Sequence, residues 1–413
     1  MTVQALELFR SVPRYLTARA VGSKFPGLVS GPLSTIRLVS RPDPEPLGDG
    51  WVRVRPILSG ICGSDLATIS GQSSFYFSPL VSMPFVPGHE VVGELADDAD
   101  DLPAGTRVVL EPVLSCAARG LEPCPNCAEG LTGRCDRVTT GHVSAGLQTG
   151  YCADTGGGWS RMFVAHRSQL HAVPDDLSDR RAVLVEPLSC AVHCALRAGV
   201  RPNADVLVVG AGTVGILTLL ALKELTQAGH ITVVAKHPKQ REWAEAFGAT
   251  SVVSPSEAVG EVRRSTRAMK LKPERGPSFL LGGVDVAIDC VGSRSSLDLA
   301  LRTTKAGGRV VMAGIPVAGA DLTPLWFREL ELVGAYTGGI ESVGRKRRHS
   351  FDIAMELATT WPIDGVVGAT YPLRRWREAI DHALAAGKLG TLKVAFDLEP
   401  HHEAHREVHE GVH

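Results

Sequence analysis

Gly210, Gly212 and Gly215 stand as G-x-G-x-x-G directly after the apolar run VLVV and at the head of an apolar helical stretch. Each glycine has a separate task. The first permits a tight turn, the second lets the backbone approach a pyrophosphate, and the third lets the helix pack closely on the strand. Thr213 and Val214 lie within the same turn, so a phosphate would rest on the N-terminus of the helix they open. A chain with 44 glycines produces such spacings by chance, and it is the strand-turn-helix setting that makes this one a dinucleotide site.

The surrounding texture agrees. From about residue 188 to 340, VLVVG, LTLLALKEL, ITVVA, QREWAEAF, VDVAIDCVG and GGRVVMAGIP alternate strand with helix, which implies a parallel sheet with helices on both faces. Before residue 187 the pattern is short β-rich runs such as WVRVRPILSG and RMFVAHRSQLHAV, broken by Gly and Pro. From 341 to 398 come a helical stretch (RHSFDIAMELATT), a YPL turn, a second helix (WREAIDHALAAGK) and a strand (TLKVAFDL) that can rejoin the first domain. The expected division is therefore a β-rich domain over 1–187 and 341–398 and an α/β domain over 188–340. Val259 to Gly283, basic and poorly periodic, reads as a surface excursion, and 399–413 as a mobile histidine-rich tail.

A length of 413 residues fits two large domains. Lys+Arg 43 against Asp+Glu 44 leaves a net charge of -1, which argues against a nucleic-acid partner and for a small-molecule one. No apolar stretch reaches the ~20 residues of a membrane span. Glu7 and Arg10 interrupt the N-terminus where a signal peptide needs an apolar run, so a cytoplasmic protein with no membrane partner is expected.

Nine cysteines is an odd count, which disfavours a disulfide framework. Cys116, Cys124, Cys127 and Cys135 are spaced C-x7-C-x2-C-x7-C, and four thiolates close a tetrahedron around Zn2+, the arrangement of a structural site. A second, longer-range set is Cys62 in GICGSD, His89 with Glu90 in PGHEVVG, and Glu186 in VEPLSCAVH. Three such protein ligands and an open fourth position would make a catalytic site.

Together these motifs resemble the zinc-dependent medium-chain dehydrogenase/reductase superfamily, in its alcohol and polyol branch, over residues 35–398. The resemblance implies an α/β fold in which a Rossmann dinucleotide-binding domain is inserted in a GroES-like β-rich catalytic domain. It implies that Cys62 and His89 hold a catalytic zinc with Glu186 or Glu90 as third ligand, that Ser64 takes the alcohol proton, and that the four-cysteine lobe holds a structural zinc. It implies reversible hydride transfer between a secondary alcohol or polyol and NAD(P), in a homodimer or homotetramer. Three departures stand out. The lobe carries five additional residues between its first two thiols, so the loop must fold back to bring Cys116 in. Ala67 stands where the family often has His, and the first 34 residues exceed its usual start.

NAD sites place an acid on the adenosine ribose after the second strand, whereas this chain runs Ala235, Lys236, His237, with Lys239 and Arg241 beyond. NADP is therefore the expected cofactor and NAD the second option, with Lys236, His237 and Arg241 as candidate donors. Phe75, Tyr76 and Phe77 are either a substrate wall or β-domain core. Two other readings compete: a zinc-independent alkene or quinone reductase of the same fold, and a non-catalytic zinc and dinucleotide binder.

Overall fold

Runs rich in Val, Ile and aromatic residues between Gly and Pro breaks pair as strands in the computed structural model, which describes residues 2–22, 25, 27–316 and 319–398. The histidine-rich tail lies outside the described residues. The chain divides into two units, one made of the residues up to Glu186 with those from Met355 onward, the other of Pro187–Ala354.

The first unit opens with β1 (Thr2–Leu8) and β2 (Ile36–Pro42), paired antiparallel from Thr2↔Pro42 to Leu8↔Ile36. Between them stands a helix, Val12–Val21, followed by a single helical turn, Gly27–Ser30. The N-terminal residues with no family role are thus a built part of the unit: Ala5, Leu6 and Leu8 lie buried in one core with Phe85, Trp159 and Phe396. The sheet is laid down by β3 (Trp51–Gly60), β4 (Val91–Leu95), β5 (Arg107–Leu110), β6 (Phe163–His166) and β7 (Leu170–Ala172). Phe75, Tyr76 and Phe77 begin a 3-10 helix, Phe75–Leu80. The core reading fails for them, since Phe75 and Tyr76 are 55% and 77% exposed.

In the second unit β8 (Asp205–Val209), β9 (His230–Val234), β10 (Ser251–Val253), β13 (Val284–Asp289), β14 (Thr304–Met312) and β15 (Glu331–Gly334) pair in parallel, in the order β10-β9-β8-β13-β14-β15. That is the doubly wound order, with the switch point beside β8, where the glycine turn lies. The basic stretch from Val259 to Gly283 is not a bare surface excursion. It forms a helix, Ala258–Thr266, and a hairpin of β11 (Met269–Leu271) with β12 (Phe279–Leu281). Ala258 and Val262, four residues apart on one helix face, are buried with Leu280 against Leu207 and Val310. The arginines on the other face hide that stripe from a reading of composition. A second hairpin joins β16 (Ile340–Val343) and β17 (Lys346–His349).

Two last strands, β18 (Val367–Pro372) and β19 (Lys393–Asp397), complete the first unit's sheet in the order β18-β19-β3-β4-β5-β7, with β6 on β3. The YPL segment is a strand end before it is a turn: Tyr371 pairs with Phe396 and Pro372 with Asp397. Proline is tolerated there because β18 is an edge. The following helix, Trp376–Ala385, buries Trp376, Ala379 and Ile380 in the core that holds β1.

Candidate active site

Cys62, two residues after β3 ends, is the N-cap of a short helix, Gly63–Ile69. Asp65 Oδ2 accepts from the Cys62 backbone N–H at 3.0 Å, closing the first turn and fixing Ser64 within it. His89 comes from the segment entering β4. Its Nε2 lies 3.5 Å from Ser64 Oγ, and its Nδ1, which is buried and has no hydrogen-bond partner, lies 3.5 Å from Asp65 Oδ1. A carboxylate behind the far nitrogen of an imidazole orients the near one toward a metal. The ligand atoms of Cys62, His89 and Glu90 all lie within 4.8 Å of one another. Burial pushes the Asp65 carboxyl up. Burial disfavours a charged His89, yet Asp65 and Cys62 beside it raise its pKa well above the ordinary value.

Glu186, buried in the first turn of the helix Val185–Arg197, stands outside that triplet but adds to the negative field at His89. Glu90 has a partner that sequence reading missed. β19 carries Lys393 into the site, where its Nζ is 2.6 Å from both Glu90 oxygens and 3.3 Å from the Ile61 carbonyl. Burial would lower its pKa, but Glu90 holds it above the usual lysine value. A lysine at the head of the apolar run Val394–Phe396 was the available signal, because a buried ammonium needs an acid. Gly60 makes room for this pair, since a Cβ there would stand 1.9 Å from Glu90 Oε2. Tyr151 was missed as well: its Oη donates to Asp65 Oδ1 at 3.3 Å and its ring lies 5.9 Å from His89.

The four lobe thiols also converge, all within 4.8 Å, with Cys116 and Cys135 Sγ atoms 3.6 Å apart. Zn–S bonds of about 2.3 Å give a tetrahedral edge of about 3.8 Å. Backbone N–H groups of Cys124 and Arg137 donate to Cys116 Sγ and Cys135 Sγ, each at 3.4 Å. Burial opposes a thiolate at Cys124, but N–H groups of Asp136 and Cys127 bring it down to about 6. Burial pushes Cys127 and Cys135 up.

The additional residues fold back through a 3-10 turn, Ala117–Arg119, reversed at Gly120 with φ +63. Arg119, fully buried, donates to the carbonyls of Leu114 at 3.0 Å, Thr140 at 2.9 Å, Val143 at 2.8 Å, Ser144 at 3.2 Å and Gly146 at 2.7 Å. Both flanks of the lobe are thereby tied to the insertion, and Cys116 reaches its partners.

In the second unit Gly210 adopts φ +100, and a Cβ at Gly215 would stand 2.0 Å from the Gly210 carbonyl oxygen. Among the described residues nothing stands within 4 Å of where a Gly212 Cβ would be, at the N-cap of the helix Thr213–Leu225. Turn, open approach and close packing are each present, so the segment fits a pyrophosphate. Past β9, the Lys236 and His237 N–H groups both donate to Gln240 Oε1 at 3.2 Å. Lys239 pairs with Glu242 at 2.7 Å and Arg241 with Glu257 at 3.7 Å, whereas no acid partner is seen for the Lys236 and His237 side chains among the described residues.

Residues 48–175 match the alcohol dehydrogenase GroES-like domain and residues 213–359 the zinc-binding dehydrogenase domain. L-idonate 5-dehydrogenase of Vitis vinifera is 28% identical over 85% of this chain and 89% of its own length. Sorbitol dehydrogenase of Arabidopsis thaliana is 29% identical over 85% and 90%. The chain belongs to the zinc-type medium-chain dehydrogenase/reductase superfamily, in its alcohol and polyol branch. A superfamily fold likeness covers 96% of this dehydrogenase and 99% of a Sinorhizobium meliloti 1021 structure solved with NADP bound, at TM-score 0.70 and 24% identity. The protein is accordingly a zinc-dependent oxidoreductase that moves hydride between an alcohol and NAD(P). No described helix is long and apolar enough to cross a membrane.

Proposed function

We propose that the substrate is a polyol or its ketone, reacting at a secondary carbon, and that Cys62, His89 and Glu186 hold the catalytic zinc. The observation that carries this reading is the meeting of the Cys62 and His89 ligand atoms within 4.8 Å, with Ser64 Oγ 3.5 Å from His89 Nε2. When bound, zinc supplies Lewis acidity toward the substrate oxygen and NAD(P) accepts or returns the hydride. Ser64 holds the alcohol proton at Oγ and, with Ala67 in place of an imidazole, passes it to water. Asp65 orients His89 through Nδ1. Glu90 is engaged by Lys393 on both oxygens, which favours Glu186 as the third ligand. A carboxylate in place of a second thiolate makes the donor set harder and suits exchange of oxygen ligands.

The lobe of Cys116, Cys124, Cys127 and Cys135 offers no open position and is assigned a structural zinc. The catalytic part is assigned to 1–187 and 341–398, and the cofactor part to 188–340, with Gly210, Gly212, Thr213, Val214 and Gly215 around the pyrophosphate. NADP is the preferred cofactor, with Lys236 and His237 nearest to hand and Arg241 shared with Glu257.

A second copy of the chain is the proposed partner for the outer edge of the second unit. β15 is the edge strand there, and Trp326 and Phe327 of the helix Thr323–Phe327 are 81% and 64% exposed. An unpaired edge beside exposed aromatics is a surface that proteins cover. Light scattering of Trp326→Ser giving the same mass as the wild type would remove this assignment. Nine free thiols and a thiolate metal lobe suit a reducing compartment, and the cytoplasm is the proposed location.

The test is turnover of a panel of polyols and secondary alcohols with each cofactor, followed at the reduced nicotinamide absorbance. Reduction of activated alkenes with no alcohol oxidation would favour the zinc-independent reductase. Tight cofactor binding with no turnover would favour the non-catalytic binder.

A further inference from the structure

β1 and β2 form an antiparallel pair that closes at Leu8↔Ile36, a geometry that a turn of about two to five residues can connect. Here residues 9–35 make the connection and include the helix Val12–Val21. A connection so much longer than its geometry requires is expected to have a task of its own. Its contacts indicate which. Tyr15 Oη donates to the Ser73 carbonyl at 2.6 Å, and the Tyr15 ring lies 5.4 Å from that of Phe75. The Arg19 guanidinium stands 5.8 Å from the Phe75 ring centroid. Gly71, at φ +70, has the Tyr15 carbonyl oxygen 2.4 Å from where its Cβ would be, so loop and helix touch backbone to backbone.

The loop gripped in this way, residues 70–82, is tied at both ends to the metal-site scaffold. At its start Thr68 Oγ1 donates to the Ser64 carbonyl at 2.9 Å and lies 2.9 Å from Ser73 Oγ. At its end Val81 bridges to Gly146, and Ser82 Oγ accepts from the Ala153 N–H at 2.8 Å, two residues past Tyr151. Tyr151 in turn touches Asp65 and faces His89. Between these anchors the loop presents Phe75 and Tyr76 to solvent. Exposed aromatic rings on a loop anchored to the scaffold of such a site can contact the apolar C–H surface of a bound molecule.

We propose that the 9–35 segment is a specificity element, in which Tyr15 is the positioning residue that fixes the aromatic loop against the part of the substrate remote from the reacting carbon. This rests on the polyol reading. Tyr15 touches neither metal ligands nor reacting atoms, so it acts on the binding of long substrates and leaves the chemical step alone.

The test compares wild type, Tyr15→Phe and Tyr15→Ala with a four-carbon diol and a six-carbon polyol, alongside amide hydrogen exchange. In Tyr15→Ala the KM for the six-carbon substrate rises by about tenfold, while kcat and the four-carbon KM stay within about twofold. Tyr15→Phe keeps the ring contact and loses one hydrogen bond, and shows about a threefold rise. Amides of residues 71–80 exchange faster in Tyr15→Ala, and those of 63–69 do not. Unchanged exchange over 71–80 overturns the proposal, as does faster exchange with equal KM changes for both substrates. Wild-type inactivity on both substrates overturns the polyol reading instead, and the exchange result alone then decides whether Tyr15 holds the loop.

Discussion

Lys393 and Glu90 form a buried ion pair across the first unit's sheet, with Nζ 2.6 Å from each carboxylate oxygen and exposures of 4% and 1%. The pair joins β19, near the end of the chain, to the GHE segment at its front. It also places one positive charge among Cys62, Glu90 and Glu186, where a divalent cation would meet the remainder of the negative charge.

Lys393→Met removes the counter-charge and leaves Glu90 buried alone. Breaking such a pair from one side costs about 3–5 kcal/mol, and neutralising both partners restores much of it. Urea denaturation of zinc-loaded protein is expected to show that loss for Lys393→Met and a partial recovery for Lys393→Met with Glu90→Gln. Equal stability of the single and double variants would show that the pair is not what holds Glu90.

Arg119 gathers five carbonyls that have no other cation on them in the lobe. Arg119→Met strands several buried acceptors, at about 1–3 kcal/mol for each one left unsatisfied. The expected outcome is a lower Tm and loss of one zinc per chain, measured by calorimetry and elemental analysis, with Arg119→Lys intermediate.

For the cofactor, the proposed reading is that Ala235 lifts the repulsion an acid would exert on a 2′-phosphate and that Lys236 offers a donor beside it. Charge-assisted hydrogen bonds are worth roughly 1.5–3 kcal/mol, so kcat/KM should favour NADP by about 10- to 100-fold. Lys236→Ala should remove most of that preference and Ala235→Asp should reverse it. Equal values for the two cofactors in the wild type would refute the assignment.

Ser64→Ala should lower kcat by about 100-fold or more and leave the Kd for cofactor unchanged, since the hydroxyl is used only in the chemical step. An unchanged kcat would assign the proton to another group, and the Tyr151 hydroxyl, which donates to Asp65 at 3.3 Å, is the candidate.

The doubly wound sheet was legible because its four central strands and the helices between them carry their own periods, and the glycine turn because three residues must all be small there; the edge strands Ser251–Val253 and Glu331–Gly334 are too short to show one. The candidate metal ligands could be picked out because zinc chemistry restricts residue type and spacing. Lys393 and Arg119 could not, because a buried cation is defined by partners that meet it only in the fold, backbone carbonyls of the lobe in the case of Arg119. For Lys393 the partner is Glu90, more than three hundred positions away. The helix Val12–Val21 carries Pro13 in its first turn and a weakly apolar face, and Ala258–Thr266 hides its buried stripe under arginines; in both, tertiary contact rather than local pattern sets the element. The aromatic trio was ambiguous for the opposite reason, since Phe and Tyr are equally at home in a core and on a binding wall.

The most direct measurement is zinc content and turnover of Cys62→Ser beside the wild type. Two zinc ions per wild-type chain and one in the variant, held by the Cys116–Cys135 lobe, are expected, with an unchanged fold by circular dichroism and no oxidation of any polyol. A variant that keeps full NAD(P)-dependent turnover, or a wild type with a single zinc, would contradict this.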